Sequence, residues 1–198
     1  MVLHMNDNAK FYGDNYQKGQ RNKPYLFGKE IIPFLIKHFI INSIIDIGCG
    51  NGGFLMAATE IGIPDITGVD GSYIKDLMIP KKQFISYDLR TPLRLYRKFD
   101  LVVSFEVAEH IEEKYAYTFI DTLIRLGDTI LFSAAKVGQG GVNHVNCQPS
   151  EYWEEIFYTF GFIKVPDINI QNILKDKEHI NNLWQTKNSI VYKGKLND

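Results

Sequence analysis

The sequence predicts an α/β chain whose strands form a mostly parallel sheet, on three observations. Short apolar, β-branched runs recur near 43–48, 66–69, 83–87, 100–105 and 129–133. Stretches with apolar residues at helical spacing lie between several of them, as in Phe54, Leu55, Ala58 and Ile61, or Tyr115, Phe119, Ile120 and Leu123. That alternation specifies parallel strands joined by crossover helices. The first run ends in Asp46-Ile47-Gly48-Cys49-Gly50-Asn51-Gly52-Gly53, which reads as strand, tight turn and helix. Glycine in such a turn lets backbone N–H groups and a helix N-terminus approach a ligand closely.

Two nucleotide-type ligands compete for this turn. Gly48-x-Gly50-x-x-Gly53 fits a dinucleotide fingerprint, and Asp70 closes a second strand at about the expected ~20-residue distance. Asp46 argues against that ligand, because a carboxylate beside the first glycine repels a pyrophosphate. It suits a cationic ligand, such as the amino-acid end and sulfonium of S-adenosylmethionine. Asp46-x-Gly48-x-Gly50-x-Gly52 resembles motif I of the class I S-adenosylmethionine-dependent methyltransferases.

The resemblance implies a single Rossmann-like, doubly wound sheet of seven strands with an antiparallel final strand. It covers about 40–195 and implies cofactor contacts from Asp46, Gly48, Cys49, Gly50, Gly52, Asp70, Gly71, Asp88, Leu89 and Phe105. Asp70 would accept hydrogen bonds from the ribose diol and Asp88 would meet the adenine amino group, with the Leu89 backbone nearby.

Taken in order, residues 6–25 are polar with Phe11, Tyr12, Tyr16 and Tyr25, and Lys18, Arg21 and Lys23 add positive charge. Residues 1–39 are expected to form an arm and helix over the cofactor site, and 40–198 the methyltransferase domain. Leu26, Ile31, Phe34, Leu35 and His38 predict a helix over 26–39, with Pro33 kinking it or beginning it. Strand one is expected over 43–48 and its helix over 52–61, with Gly62 and Pro64 as stop signals. A helix near 113–126 precedes strand five. Pro149 fits the first position of a helix whose core face is Trp153, Ile156, Phe157 and Phe160. A strand over 162–165, a polar insertion over 167–186 and a last strand over 188–193 complete the chain.

Length and composition exclude several classes. A chain of 198 residues is one domain by default. A net charge of −1 offers no general field for nucleic acid or an anionic membrane. No apolar run approaches a membrane span, and the opening Met1-Val2-Leu3-His4-Met5 is too short for a signal peptide. Cys49 and Cys147 lack metal-site spacing, so a cytoplasmic protein is expected.

A second constellation follows strand four. Glu106, Glu109 and His110 stand at i, i+3 and i+4, so a helix over 106–111 would project all three from one face. His144 lies in the loop after strand five, beyond Gly138-Gln139-Gly140-Gly141. Glu-x-x-Glu-His followed by a later His is similar to the metal-binding set of small-RNA 2′-O-methyltransferases and of ubiquinone-pathway O-methyltransferases. Two chemistries stay open. Glu106, Glu109, His110 and His144 would hold a divalent metal (Mn, Mg, Fe, Co or Zn) that activates a hydroxyl. Alternatively, His110 or His144 is a general base oriented by the carboxylates.

O-methylation of a small polyhydroxy acceptor (a sugar, a nucleotide-linked glycan or a catechol) is the expected reaction. Tyr152, Trp153 and Trp184 are candidates to line its pocket, although Trp153 falls on a core stripe. An RNA ribose is the alternative acceptor, disfavoured by charge and size. From other classes, a nicotinamide-dependent oxidoreductase and a non-catalytic S-adenosylmethionine-binding adapter remain.

Overall fold

The computed structural model describes residues 22–74 and 76–194. Its strands are β1 (Ser43–Ile47), β2 (Asp65–Asp70), β3 (Phe84–Ser86), β4 (Leu101–Phe105), β5 (Thr129–Ser133), β6 (Phe162–Lys164) and β7 (Ile190–Gly194). They form one seven-stranded sheet in the order β3-β2-β1-β4-β5-β7-β6. The pairs β1–β2, β2–β3, β1–β4 and β4–β5 are parallel, and β7 runs antiparallel to both β5 and β6. The seven strands and the antiparallel last strand are as expected. The order turns back between β1 and β4, so the crevice outside their C-terminal ends is where an open α/β sheet binds ligands.

β1, β4 and β5 are buried along their whole length. Helices cover both faces of the sheet there, which is why apolar residues stand next to one another in these strands rather than alternating with polar ones. One face is covered by α1 (Asn22–Leu35) and α2 (Gly53–Ile61), through Phe27, Ile31, Leu35, Phe54, Leu55 and Ala58. The other is covered by α3 (Ala116–Leu126) and α4 (Ser150–Thr159), through Phe119, Ile120, Leu123, Trp153, Ile156 and Phe157. Tyr192 of β7 stacks on Phe157 with ring centroids 4.0 Å apart. Such a pair contributes about 0.5–1.5 kcal/mol beyond the area it buries.

Three local expectations shift. The helix expected over 26–39 runs over Asn22–Leu35, with Pro33 in its last turn rather than at a start. Pro149 is the N-cap of α4 rather than its first helical residue. The polar insertion contains two short helices, α5 (Ile170–Ile173) and α6 (Trp184–Asn188), and it buries Ile168, Ile170, Leu174 and Ile180 against the α1 face. Its Lys177 and His179 meet Glu30 of α1 at 2.8 and 3.3 Å. Ile170, Ile173 and Leu174 stand at i, i+3 and i+4, but a match one turn long is too short to identify a helix, so only the fold reveals their burial.

Phe11, Tyr12, Tyr16, Lys18 and Arg21 of the expected arm lie outside the described residues. Within α1, Tyr25 donates to the Glu60 carboxylate of α2 at 2.7 Å, which Lys29 also meets at 3.1 Å.

Candidate active site

The turn between β1 and α2 is shaped by three left-handed residues, Gly48 at φ 85, Gly50 at φ 54 and Gly52 at φ 84. At Gly48 the need is double, because a Cβ there would also run into the Val107 side chain from the loop after β4. Gly48 and Cys49 donate their N–H groups to Val69 O at 2.8 and 3.1 Å, tying the turn to β2. Gly50 N–H reaches Asp70 Oδ2 at 2.7 Å, and Asp70 Oδ1 accepts from Gly71 N at 2.6 Å and from the Tyr73 hydroxyl at 2.7 Å. Burial nonetheless raises the Asp70 pKa, with those donors pulling against it.

Asp46 lies two residues before the first glycine, buried, with no hydrogen-bond partner for Oδ1 among the described residues. Burial, and then the Asp70 charge, push its pKa well above the usual carboxylate range. A buried carboxylate oxygen beside a glycine turn fits a cationic group, which would supply the missing partner. The amino end of S-adenosylmethionine is such a group, so the Asp46 oxygen, beside the bare backbone of Gly48 and Gly50, fits it.

The other expected cofactor residues differ in availability. Cys49 is buried, its thiol pKa raised well above ordinary by burial and by the Asp70 and Asp46 charges. Phe105 packs edge-on against Phe27 at 5.3 Å and tilted on Phe54 at 5.0 Å. Leu89 packs with the α3 face. The Asp88 carboxylate is engaged by Arg90, with contacts of 2.9 and 2.6 Å from the guanidinium and 3.1 Å from its N–H. That partner lowers the Asp88 pKa.

After β4 the expected helix over 106–111 does not form. Glu106 takes a left-handed conformation at φ 54, and only Ala108–His110 make a single 3-10 turn. Val107, between them, has φ −120 and ψ −43, which breaks any helical run from Glu106. The i, i+3, i+4 face is therefore replaced by a different grouping. One ligand atom each from Glu109, His110 and His144 lies within 4.8 Å of the others, and Glu106 is not part of that set. The His110 and His144 rings meet edge to face at 4.9 Å. Gly141 has its bare backbone against the His144 imidazole, where a Cβ would clash.

Glu109 is fully buried, and neither carboxylate oxygen has a hydrogen-bond partner among the described residues. Burial, then the Glu106 charge, raises its pKa to about 8, although the N–H groups of Glu109 and Ala135, near it but outside hydrogen-bond geometry, pull it down. Burial lowers the His110 pKa to about 4, and His144 adds to this, while the Asn143 carbonyl opposes it. His110 Nδ1–H donates to Asn143 O at 3.0 Å, which leaves Nε2 with the lone pair. Cys147 Sγ lies 3.4 Å from His144 Nδ1.

Glu106 points instead into a side-chain network. It accepts from Gln139 Nε2 at 2.7 Å and Asn188 Nδ2 at 3.2 Å, and Asn188 also donates to Gln139 Oε1 at 2.8 Å. Gln139, Asn143, Asn188, Arg90 and Tyr73 were missed as site residues. Only Gln139 carried a sequence signal, its place in the glycine-rich loop. Of the pocket aromatics, Trp153 is buried, Tyr152 packs edge-on against it at 4.9 Å, and Trp184 is half exposed with Lys187 over its ring at 5.1 Å.

A family model described as "Methyltransferase domain" matches residues 16–126. Among curated proteins, none is matched by this chain. Among solved structures, a magnesium protoporphyrin IX methyltransferase from Synechocystis PCC 6803 with bound S-adenosylhomocysteine is 16% identical with a TM-score of 0.59, over 94% of this chain and 92% of that one. The methyltransferase domain of bacterial CtHen1 is 19% identical with a TM-score of 0.55, over 85% and 97%. A chain of the Haloferax volcanii complex between a methyltransferase and its Trm112 activator is 15% identical with a TM-score of 0.62, over 94% and 96%. Those likenesses are in fold. With the family match spanning more than half the sequence and the glycine turn built as described, this chain belongs to the methyltransferase-domain family, of the class I, S-adenosylmethionine-dependent kind.

Proposed function

We propose that the chain methylates a hydroxyl oxygen of a small polyhydroxy acceptor, with Glu109, His110 and His144 facing that oxygen. The observation that carries this reading is the convergence of their ligand atoms within 4.8 Å just beyond β4, around a buried carboxylate with no partner of its own. Asp46, Gly48, Gly50 and Asp70 hold the methyl donor on the β1 side of the same crevice. Direct displacement then needs alignment of acceptor, methyl and sulfur, with removal of the hydroxyl proton.

One carboxylate oxygen and two imidazole nitrogens suit Mn, Fe, Co or Zn more readily than Mg. Glu109, His110 and His144 would hold such an ion, which would supply Lewis-acid polarisation of the acceptor oxygen. The Asn143 carbonyl keeps His110 in the tautomer that presents Nε2. The same tautomer serves a metal-free reading, with His110 or His144 accepting the proton. An RNA ribose hydroxyl is the alternative acceptor, supported by the similarity of the acid–histidine set and opposed by a net charge of −1. Two free cysteines fit a reducing, cytoplasmic setting.

Calorimetry with Mn²⁺ in the presence of S-adenosylhomocysteine tests the reading on wild type and His144→Ala. Tight binding that the substitution abolishes supports it and directs the acceptor screen to sugar diols, catechols and ribose ends. No Mn²⁺ binding in protein that still takes up the homocysteine product overturns the metal, leaving the histidines as bases.

A further inference from the structure

We infer that a narrow cavity beside the N-terminus of α4 seats one oxygen of the methyl acceptor, and that the acceptor therefore carries a carboxylate or phosphate arm. The identity of the occupant as the acceptor rests on the reading above. The cavity measures about 10 Å³ and lies between Trp153, Tyr192, Phe132, Ser150, Lys136 and Asn188. A space of that size admits about one water-sized atom.

Two of its lining residues bring buried polar atoms with a proton to give. Trp153 and Tyr192 are only 3% and 1% exposed, and neither Trp153 Nε1 nor the Tyr192 hydroxyl has a hydrogen-bond partner among the described residues. An indole N–H can only donate. Burial holds the Tyr192 phenol far on its protonated side, so it too has a proton to give. Ser150 opens α4, a ten-residue helix, and the N-cap residue Pro149 supplies no side-chain acceptor to the first-turn N–H groups. Lys136 is exposed at the rim and has no ion pair among the described residues. Of the acids nearby, Glu154 meets Lys164 at 3.4 Å, Glu106 is bonded to the Gln139 and Asn188 amides, and Glu151 in the first turn of α4 is exposed to solvent.

The cavity is linked to the reacting side of the crevice. Asn188 lines it and also donates to Glu106. Gln148, another lining residue, donates to Asn146 Oδ1 at 2.9 Å, and Asn146 N–H reaches Glu109 O at 3.0 Å. One oxygen of an anionic group enters to meet Trp153 and Tyr192, while the rest of the group stays at the rim beside Lys136. Gln148 of the lining thus stands two hydrogen-bond links from the Glu109 backbone carbonyl.

The test uses the full chain, nitrogen-15 labelled and saturated with S-adenosylhomocysteine, titrated with formate and then with inorganic phosphate. The readout is the Trp153 indole N–H resonance, told apart from that of Trp184 by Trp184→Phe. The expected result is a saturable shift, with affinity falling at least fivefold in Tyr192→Phe and in Lys136→Ala. Lys136 is exposed, so the second variant reports even if the first folds poorly. An unmoved indole resonance in protein that still binds the homocysteine product overturns the inference and leaves a cavity for water alone. A shift of equal affinity in both variants does the same, as adventitious ion binding. Failure of wild type to bind the homocysteine product would strike the cofactor reading instead.

Discussion

The turn after β1 and the segments after β4 and β5 leave the sheet at the same edge, and both contain left-handed backbone. After β1 that conformation falls on Gly48, Gly50 and Gly52. After β4 and β5 it falls on Gly138 at φ 84 and also on two residues that carry side chains, Glu106 at φ 54 and Asn143 at φ 58. For an L residue this conformation costs roughly 1–2 kcal/mol, which glycine does not incur. Glu106 is held there from outside its own segment. Its N–H donates to Ser133 O and Oγ at 3.0 and 3.2 Å, and its carboxylate is fastened by Gln139 and Asn188. The conformation of the turn after β1 is therefore written into adjacent residues, and that of Glu106 is imposed by partners far along the chain. On the reading proposed above, the first is the methyl-donor side of the crevice and the second the acceptor side.

The comparison can be broken most sharply at Gly48. Gly48→Ala should destabilise the protein by about 3 kcal/mol in urea unfolding, from left-handed strain plus overpacking onto Val107. S-adenosylhomocysteine binding should fall at least about hundredfold, on the order of 3 kcal/mol. An unchanged midpoint with intact binding would mean that the turn tolerates another path.

The acceptor side is sharpened by two acids that the sequence treats alike. Glu109→Gln should weaken Mn²⁺ binding about hundredfold or more, because a ligand atom is removed. Glu106→Gln should stay within about tenfold, the effect of an outer partner. Equal losses in the two variants would restore Glu106 to the ligand set.

A smaller effect is expected at Asn188. Asn188→Ala should cost about 1–2 kcal/mol in urea unfolding, by leaving the Glu106 and Gln139 acceptors less satisfied. It should leave S-adenosylhomocysteine affinity within about twofold, since Asn188 belongs to the acceptor side (a twofold change is about 0.4 kcal/mol). The smallest change is expected at Asn143→Gly. Relief of the left-handed backbone offsets the added chain entropy, so stability should move by about 1 kcal/mol or less. The bond to His110 comes from the backbone carbonyl, so Mn²⁺ affinity should persist. Loss of Mn²⁺ binding there would show that the asparagine side chain also positions the histidine.

Much of the fold was legible because each strand carries its own signal. β1 and β5 are built around short apolar runs, Ile44-Ile45 and Ile130-Leu131-Phe132, and α3 shows a clear 3.6-residue stripe in Ala116, Phe119, Ile120, Leu123 and Leu126. The turn itself was legible for a similar reason, since left-handed backbone needs glycine, and Asp70 at the next strand end accepts from Gly50 N–H. The grouping of Glu109 and His110 with His144 was half legible. The residues were in hand, but their spacing suggested a helix that Val107 and the left-handed Glu106 do not allow. Arg90 at Asp88, and Gln139 and Asn188 at Glu106, show no local pattern, since hydrogen-bonding side chains are common in every loop.

The sequence alone determined the alternating α/β architecture, the glycine turn and the acid two residues before it. Each depends on backbone preference or on periodicity within a few residues, which is local information. Only the tertiary structure decided that Glu106 leaves the histidines, that Asn188 crosses 82 residues to hold it, and that Trp153 and Tyr192 bring two unmet donors to one cavity. Those meetings are set by how β4, β5, β7 and α4 pack side by side, and packing joins residues whose separation along the chain carries no signal of their contact.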